Sequence, residues 1–229
     1  MDRPIIFSAP MVRALLDGRK TQTRRVLKPQ PEWLSGAWYW TSPRYNNGDG
    51  ARYFHTVDVS GVMPAWLRAL PYAPGDRLWV REGFMPAPME AVPAAPRPTR
   101  WNIAYAAGGQ DEVLAPAGYN PMLYNYERWS PSIHMPRWAS RLTLHVTAVR
   151  VQRLQDISDA DARAEGLERI GTAWGIDGIK GSVAAYERTA FRVIWNALHG
   201  AGAWDANPWV AAITFTVERA NIDALRPAA

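Results

Sequence analysis

Hydrophobic periodicity in the C-terminal part of the chain constrains the fold most strongly. Residues 141–150 alternate with a period of two, which predicts a strand, and residues 209–218 repeat the pattern. One face of the first strand holds Leu142, Leu144, Val146 and Ala148, and the other holds Thr143, His145, Thr147 and Val149. Between these strands, residues 186–198 have apolar side chains at helical spacing: Phe191, Ile194, Trp195 and Leu198.

A second, shorter helix is indicated by capping residues. Ser158 is placed to accept hydrogen bonds from the first turn, and Asp161 occupies the capping-box position three residues later. We expect this helix to run to about Glu165 and to stop at Gly166.

The N-terminal part predicts a helix over residues 10–17 that stops at Gly18, followed by an extended segment. Residues 77–82 read as another short strand and residues 101–106 as a possible one.

Two segments, 29–70 and 86–130, are rich in Pro, Gly and Asn and are expected to be irregular insertions, the first with a hairpin near residues 46–50. The prediction is therefore a single α+β domain over residues 1–229, built around a curved or barrel-like sheet with two or three helices.

Composition limits the classes of function. The chain has 229 residues, 48% of them hydrophobic, no cysteine, and a formal net charge of +5. Of its 26 basic residues, 23 are arginine, which favours a polyanionic partner. No apolar run is long enough to span a bilayer, and the first residues lack a secretory-signal pattern, so we expect a cytoplasmic protein with no membrane partner.

The segment from Gly18 to Arg25 concentrates the chemistry, with four cations, two threonines and one glutamine. Arg19, Arg24 and Arg25 are candidates for contacts with phosphate groups. A second polar group, His134, Arg137 and Arg141, brackets Trp138, which is a candidate for stacking on a base or for filling the end of the sheet.

Metal and cofactor chemistry receives no support from the sequence. The four histidines are scattered and lie in no metal-binding spacing. There is no phosphate-binding glycine loop and no nucleophile elbow, so we predict no cofactor.

Taken in order, these elements resemble the ASCH domain, a small β-barrel related to the PUA domains of RNA-modifying proteins. The resemblance covers roughly half of the chain and leaves both insertions outside. The whole chain, with its insertions, is similar to the larger ASCH proteins of phages and prophages. Its motifs are the segment 18–24, the turn and strand 75–80, the strand 141–150, the helix end 162–165 and the last strand 209–218.

This resemblance implies an activity, because some small ASCH proteins are amidohydrolases that remove the acetyl group from N4-acetylcytidine without a metal. Their lysine, threonine and glutamate match Lys20, Thr23 and Glu165. The implied roles are Thr23 as nucleophile or water-orienting group, Lys20 as base, and Glu165 as the group that orients Lys20 or shuttles the proton.

Two alternatives remain open from the sequence. One is a nucleic-acid-binding module that has no turnover, and the other is an accessory phage protein whose Trp- and Pro-rich insertions dock a host protein. The triad also faces a geometric condition: in a regular strand Lys20 and Thr23 point to opposite faces, so they converge only across a turn or bulge.

Overall fold

The computed structural model describes residues 1–34, 37–41, 54–56, 70, 72–90, 97–119 and 128–225. Its α-helices in this part of the chain are α1 (Ala9–Leu16), α2 (Asp159–Ala164) and α3 (Glu187–His199). The strands are β1 (Asp2–Ile6), β2 (Gln22–Val26), β3 (Glu32–Leu34), β4 (Ala37–Thr41), β5 (Phe54–Thr56), β6 (Arg77–Arg81), β7 (Phe84–Pro88), β8 (Thr99–Tyr105), β9 (Gln110–Ala115), β10 (Thr143–Arg153), β11 (Glu168–Ile170), β12 (Ala173–Gly175) and β13 (Trp209–Glu218).

Contacts divide the chain into two compact units, each assembled from separate segments. Unit 1 comprises residues 1–18, 75–145 and 216–229, and unit 2 comprises residues 19–74 and 146–215. The largest sheet has the strand order β1-β6-β10-β13-β2.

Unit 1 contains the parallel pair β1 and β6, with β6 also antiparallel to the start of β10. Helix α1 buries Met11, Val12, Ala14 and Leu15 and is followed by Gly18 at φ +74°. That backbone conformation is one that glycine adopts without strain, so the predicted helix stop is confirmed.

A second sheet of unit 1 is the antiparallel meander β7-β8-β9. Alternate residues of β8 are buried, and they form a core with residues from β7, from the end of β9 and from the segment between β9 and β10. The core residues are Phe84, Trp101, Ile103, Tyr105, Ala115, Met135 and Ala139. The expectation that 86–130 is irregular was therefore wrong for β9 and for the end of β7. Strand β9 is mostly exposed, and so it lacks the hydrophobic alternation that identifies a strand.

Unit 2 contains the antiparallel pair β2 and β13, with Thr23 opposite Ile213. Helix α2 begins as predicted, because the Ser158 hydroxyl accepts from the Asp161 backbone N–H at 3.0 Å. Helix α3 buries Ala190, Phe191, Ile194 and Trp195. Leu198, expected on the same face, is 52% exposed, since it lies in the last turn of the helix.

The α+β class is confirmed, and none of the sheets within the described residues closes into a barrel. In the first predicted insertion, β4 and β5 pair antiparallel on either side of the expected turn, whose residues 46–50 lie outside the described ranges. Among the helices that the structure describes, none is both long enough and apolar enough to cross a bilayer.

Candidate functional site

The backbone of Lys20 is fixed between a helix end and a strand. The Thr21 N–H donates to the Ala164 carbonyl at 2.9 Å, and the Thr21 carbonyl accepts from the Phe215 N–H at 2.9 Å. Lys20 itself forms an isolated antiparallel bridge with Glu165, the residue that ends α2. This pairing places a lysine side chain beside a glutamate that is distant in sequence.

The side chains of Lys20 and Glu165 form a buried ion pair. The Lys20 Nζ donates to Glu165 Oε2 at 2.8 Å and to the Glu165 carbonyl oxygen at 2.9 Å. Burial lowers the pKa of Lys20, the Glu165 carboxylate opposes that change, and the positive charges of Arg25 and Arg24 add to it. A buried amine with a lowered pKa is suited to accept a proton.

Arg24 contacts the other oxygen of the same carboxylate. Its Nη1 donates to Glu165 Oε1 at 3.0 Å and to Gln22 Oε1 at 2.7 Å, while its Nη2 donates to Asp161 Oδ2 at 3.1 Å. Gln22 and Arg24 are two residues apart in β2, so they lie on the same face of the strand. Both oxygens of Glu165 are therefore held by cationic groups.

Asp161 extends the network toward solvent. Its carboxylate accepts from Arg150 Nη2 at 2.8 and 2.9 Å and from Gln22 Nε2 at 3.3 Å. Burial acts to raise the pKa of Asp161, but the charges of Arg150 and Arg24 outweigh burial, and the pKa is lowered. We call Lys20, Arg24, Arg150, Asp161 and Glu165 the charged cluster; it combines three basic side chains with two carboxylates.

Thr23 lies on the other side of β2. It is buried and pairs in register with Ile213, and its neighbours Gln22 and Arg24 point to the opposite face. The structure therefore brings Lys20 and Glu165 together and does not bring the Thr23 side chain to the face that they share. The catalytic roles assigned to the three residues stay predictions.

Two further predicted phosphate contacts are also in unit 2. Arg19 donates to the Gly166 carbonyl at 2.7 Å and lies 3.5 Å from Glu168 Oε1. Arg25 is half-buried. Burial lowers the pKa of His199, and the positive charges of Arg25 and Lys28 lower it further.

The second predicted polar group belongs to unit 1 and is described separately. Arg137 donates to both carboxylate oxygens of Asp223, at 2.6 to 3.0 Å, and to Asp2 Oδ2 at 2.7 Å. His134 is exposed in a short 3₁₀ helix. The Arg137 guanidinium is therefore engaged within the protein rather than directed to a phosphate.

Arg141 and Trp138 are similarly engaged. Arg141 forms a bidentate ion pair with the buried carboxylate of Glu82, at 2.9 and 3.1 Å. Trp138 packs edge-on against Tyr119, with ring centroids 4.8 Å apart, and lies 6.4 Å from the ring of Trp101. Of the two readings that the sequence allowed for Trp138, these contacts favour a packing role.

Sequence reasoning missed the parts played by Asp161, Gln22 and Arg150. Asp161 was identified only as a capping residue, although its spacing of four from Glu165 puts both carboxylates on one face of α2. Gln22 and Arg24 are likewise two residues apart, a spacing that puts two side chains on one face of a strand. No local signal connects Arg150 to the cluster, because its contact with Asp161 depends on how β10 meets α2.

The described residues contain no group of three or more His, Asp or Glu side chains arranged to hold a metal ion. No protein-family model, curated protein or solved structure is significantly similar to this chain.

Proposed function

We propose that this protein hydrolyses the amide bond of an N-acylated nucleoside or base of the N4-acetylcytidine type, without a metal, using Lys20 and Glu165. The observation on which the proposal rests is the 2.8 Å contact between the Lys20 amine and the Glu165 carboxylate in a buried setting. Burial lowers the pKa of Lys20, which increases the fraction of neutral amine able to act as a base.

The proposed reaction consumes one water molecule. Neutral Lys20 takes a proton from that water while the water oxygen attacks the acyl carbon, and a tetrahedral intermediate forms. The carbon–nitrogen bond then breaks as the Lys20 ammonium returns its proton to the departing nitrogen. Glu165 holds the ammonium form of Lys20 between these two transfers, and the products are a carboxylic acid and the free amine of the base.

Thr23 has a smaller part in this proposal than the resemblance implied. Its side chain lies on the face of β2 opposite to Gln22 and Arg24, so we assign the nucleophile to water rather than to the Thr23 hydroxyl.

Membership of the ASCH family, with its curved PUA-like barrel, belongs to the same proposal. Its support is the order of matching elements: α1 followed by the basic segment 18–24, then β6, β10, α2 and β13. The class of substrate is taken from that resemblance.

Hydrolysis of N4-acetylcytidine by purified protein, followed by chromatography of cytidine, tests the proposal. Wild-type protein is expected to release cytidine, and Lys20→Met and Glu165→Gln to lose about a hundredfold or more of that rate. Arg192→Gln is the matched control, because this exposed arginine lies on α3 outside the charged cluster. Circular dichroism verifies that each variant is folded, and a folded wild-type protein without turnover would overturn the proposal.

The nucleic-acid-binding alternative has less support from the described contacts. Binding of phosphates requires cations that face solvent, whereas Arg24, Arg137 and Arg141 are each paired with carboxylates. An RNA affinity that falls steeply with salt, without hydrolysis, would favour that alternative.

A further inference from the structure

The charged cluster is a linear chain of contacts that leads from the protein interior to solvent. In order, its side chains are Lys20, Glu165, Arg24, Asp161 and Arg150, with exposed fractions of 1%, 6%, 0%, 18% and 53%. Each neighbour in this order is of opposite charge. The lysine at the buried end therefore depends on a series of ion pairs whose last member is in water.

Arg24 is the link that joins the two carboxylates. Its Nη1 contacts Glu165 and its Nη2 contacts Asp161, at 3.0 and 3.1 Å, and only a planar fork can span both groups in this way. The Arg24 Nε is buried without a hydrogen-bond partner among the described residues, and the guanidinium lies 5.8 Å from the ring of Phe191. The side chain is therefore held in place by its two carboxylate contacts and its bond to Gln22.

We propose that Arg24 and Asp161 are positioning residues for Lys20: Arg24 holds the Glu165 carboxylate against the Lys20 amine, and Asp161 holds Arg24. This inference rests on the proposed function, since Lys20 is the base of the proposed reaction and the inference describes how its amine is held beside Glu165. It assigns to Arg24 a structural partner instead of a phosphate.

The charges around Lys20 determine what each substitution does. From β2 the charges of Arg24 and Arg25 act on it, and from α2 it faces Glu165 and, beyond Glu165, Asp161, which Arg150 of β10 contacts. Loss of Arg24 leaves the Glu165 charge to act on Lys20 alone, so the ammonium form is favoured. Loss of Asp161 leaves the charge of Arg24 less compensated, so the ammonium form is disfavoured.

Nuclear magnetic resonance of protein labelled with ¹³C at the lysine Cε tests this arrangement directly. The chain contains three lysines, Lys20, Lys28 and Lys180, so each signal is assigned by a single Lys→Arg substitution. The titration midpoint of Lys20 is expected to move to higher pH in Arg24→Gln and to lower pH in Asp161→Asn. Lys28 and Lys180 are exposed and serve as internal references.

A merely structural role predicts a different result. If the two substitutions only loosened the site and admitted water, both would move the Lys20 midpoint upward, and the downward shift of Asp161→Asn would be missing. Asp161→Asn alone is decisive if Arg24→Gln fails to fold. Arg163→Gln is the matched control, because Arg163 lies on α2 and pairs with Glu187 at 2.7 Å, outside the charged cluster. If Arg163→Gln moved the titration midpoint of Lys20 as far as Arg24→Gln does, the proposal would be overturned.

The titration does not depend on turnover, so the two proposals fail separately. If N4-acetylcytidine is not hydrolysed but the Lys20 midpoint moves up in Arg24→Gln and down in Asp161→Asn, the proposed function is wrong and the positioning roles of Arg24 and Asp161 are supported. If hydrolysis is observed and the midpoint does not move, the positioning role is lost. When both hold, the acidic limb of the rate–pH profile is expected to follow the Lys20 midpoint in each variant.

Discussion

Lys20 and Glu165 are joined three times: by a backbone bridge, by a hydrogen bond from the Lys20 amine to the Glu165 carbonyl at 2.9 Å, and by an ion pair at 2.8 Å. They are 145 residues apart in sequence. Because the backbone and the side chains are fixed together, the geometry of the ion pair is tied to the end of α2. The stability of unit 2 and the protonation of Lys20 are therefore coupled.

The Lys20–Glu165 pair is expected to show strong coupling in a double-mutant cycle. Lys20→Met leaves a buried carboxylate with one cationic partner fewer, and we expect a loss of about 3–5 kcal/mol in the free energy of unfolding. Lys20→Met combined with Glu165→Gln is expected to lose less than the sum of the two single changes. Urea denaturation followed by circular dichroism measures all three, with the exposed Lys180→Met as the control. Additive losses would contradict direct coupling.

Stability is expected to rise with pH through the titration of Lys20. Its pKa in the folded protein is lowered by burial, whereas in the unfolded chain it is near the ordinary lysine value of 10.5. Between these two values the folded protein binds fewer protons than the unfolded chain, so the free energy of unfolding increases with pH. Urea denaturation from neutral pH toward 10.5 should show this rise in the wild type relative to Lys20→Met. A parallel dependence in both proteins would show that another group is responsible.

The ion pair between Arg141 and Glu82 is expected to matter more than an exposed pair in the same unit. Burial raises the pKa of Glu82, and the hydrogen bond and charge of Arg141 oppose that change. Arg141→Met removes this compensation, and we expect a loss of about 3–5 kcal/mol in the free energy of unfolding. Arg100→Met, which removes the exposed pair with Glu112, is the comparison and should cost much less. Equal losses in the two variants would be inconsistent with this account.

The cap of α2 is expected to contribute measurably to stability, since the helix holds both carboxylates of the cluster. Ser158→Ala removes the acceptor for the Asp161 N–H and should cost about 1 kcal/mol in the free energy of unfolding. Ser158→Asn retains a side-chain acceptor and should preserve most of the stability. Thermal denaturation of the two variants makes the comparison, and an Asn variant as unstable as the Ala variant would count against the cap.

Several elements were predictable from the sequence because their signals are local. The strand predicted at 209–218 is β13, and the helix predicted at 186–198 is α3, displaced by one residue. The Ser158 cap was also predicted, since a cap depends on residues three apart in sequence. The alternation of β10 held only in part: Ala148 is exposed and Val149 is buried, the reverse of the prediction. The phase of burial therefore changes within β10, between Val146 and Val149.

Some residues of the candidate site were predictable from the sequence, but the contacts between their side chains were not. The motif resemblance named Lys20 and Glu165, while Arg24 was expected to face a phosphate. In the folded chain Arg24 is instead buried between two carboxylates of α2, which are 137 and 141 residues away in sequence.

The sequence by itself therefore determined the approximate positions of α1, α2, α3, β6, β10 and β13, the places where α1 and α2 end, and which segment concentrates basic residues. Tertiary structure decided which of those basic residues pair with carboxylates, which face of β2 meets α2, and which lysine is buried away from solvent. The reason is physical: helix caps and periodic burial depend on near neighbours, whereas the charge state of a buried group depends on long-range partners brought within a few ångströms by folding.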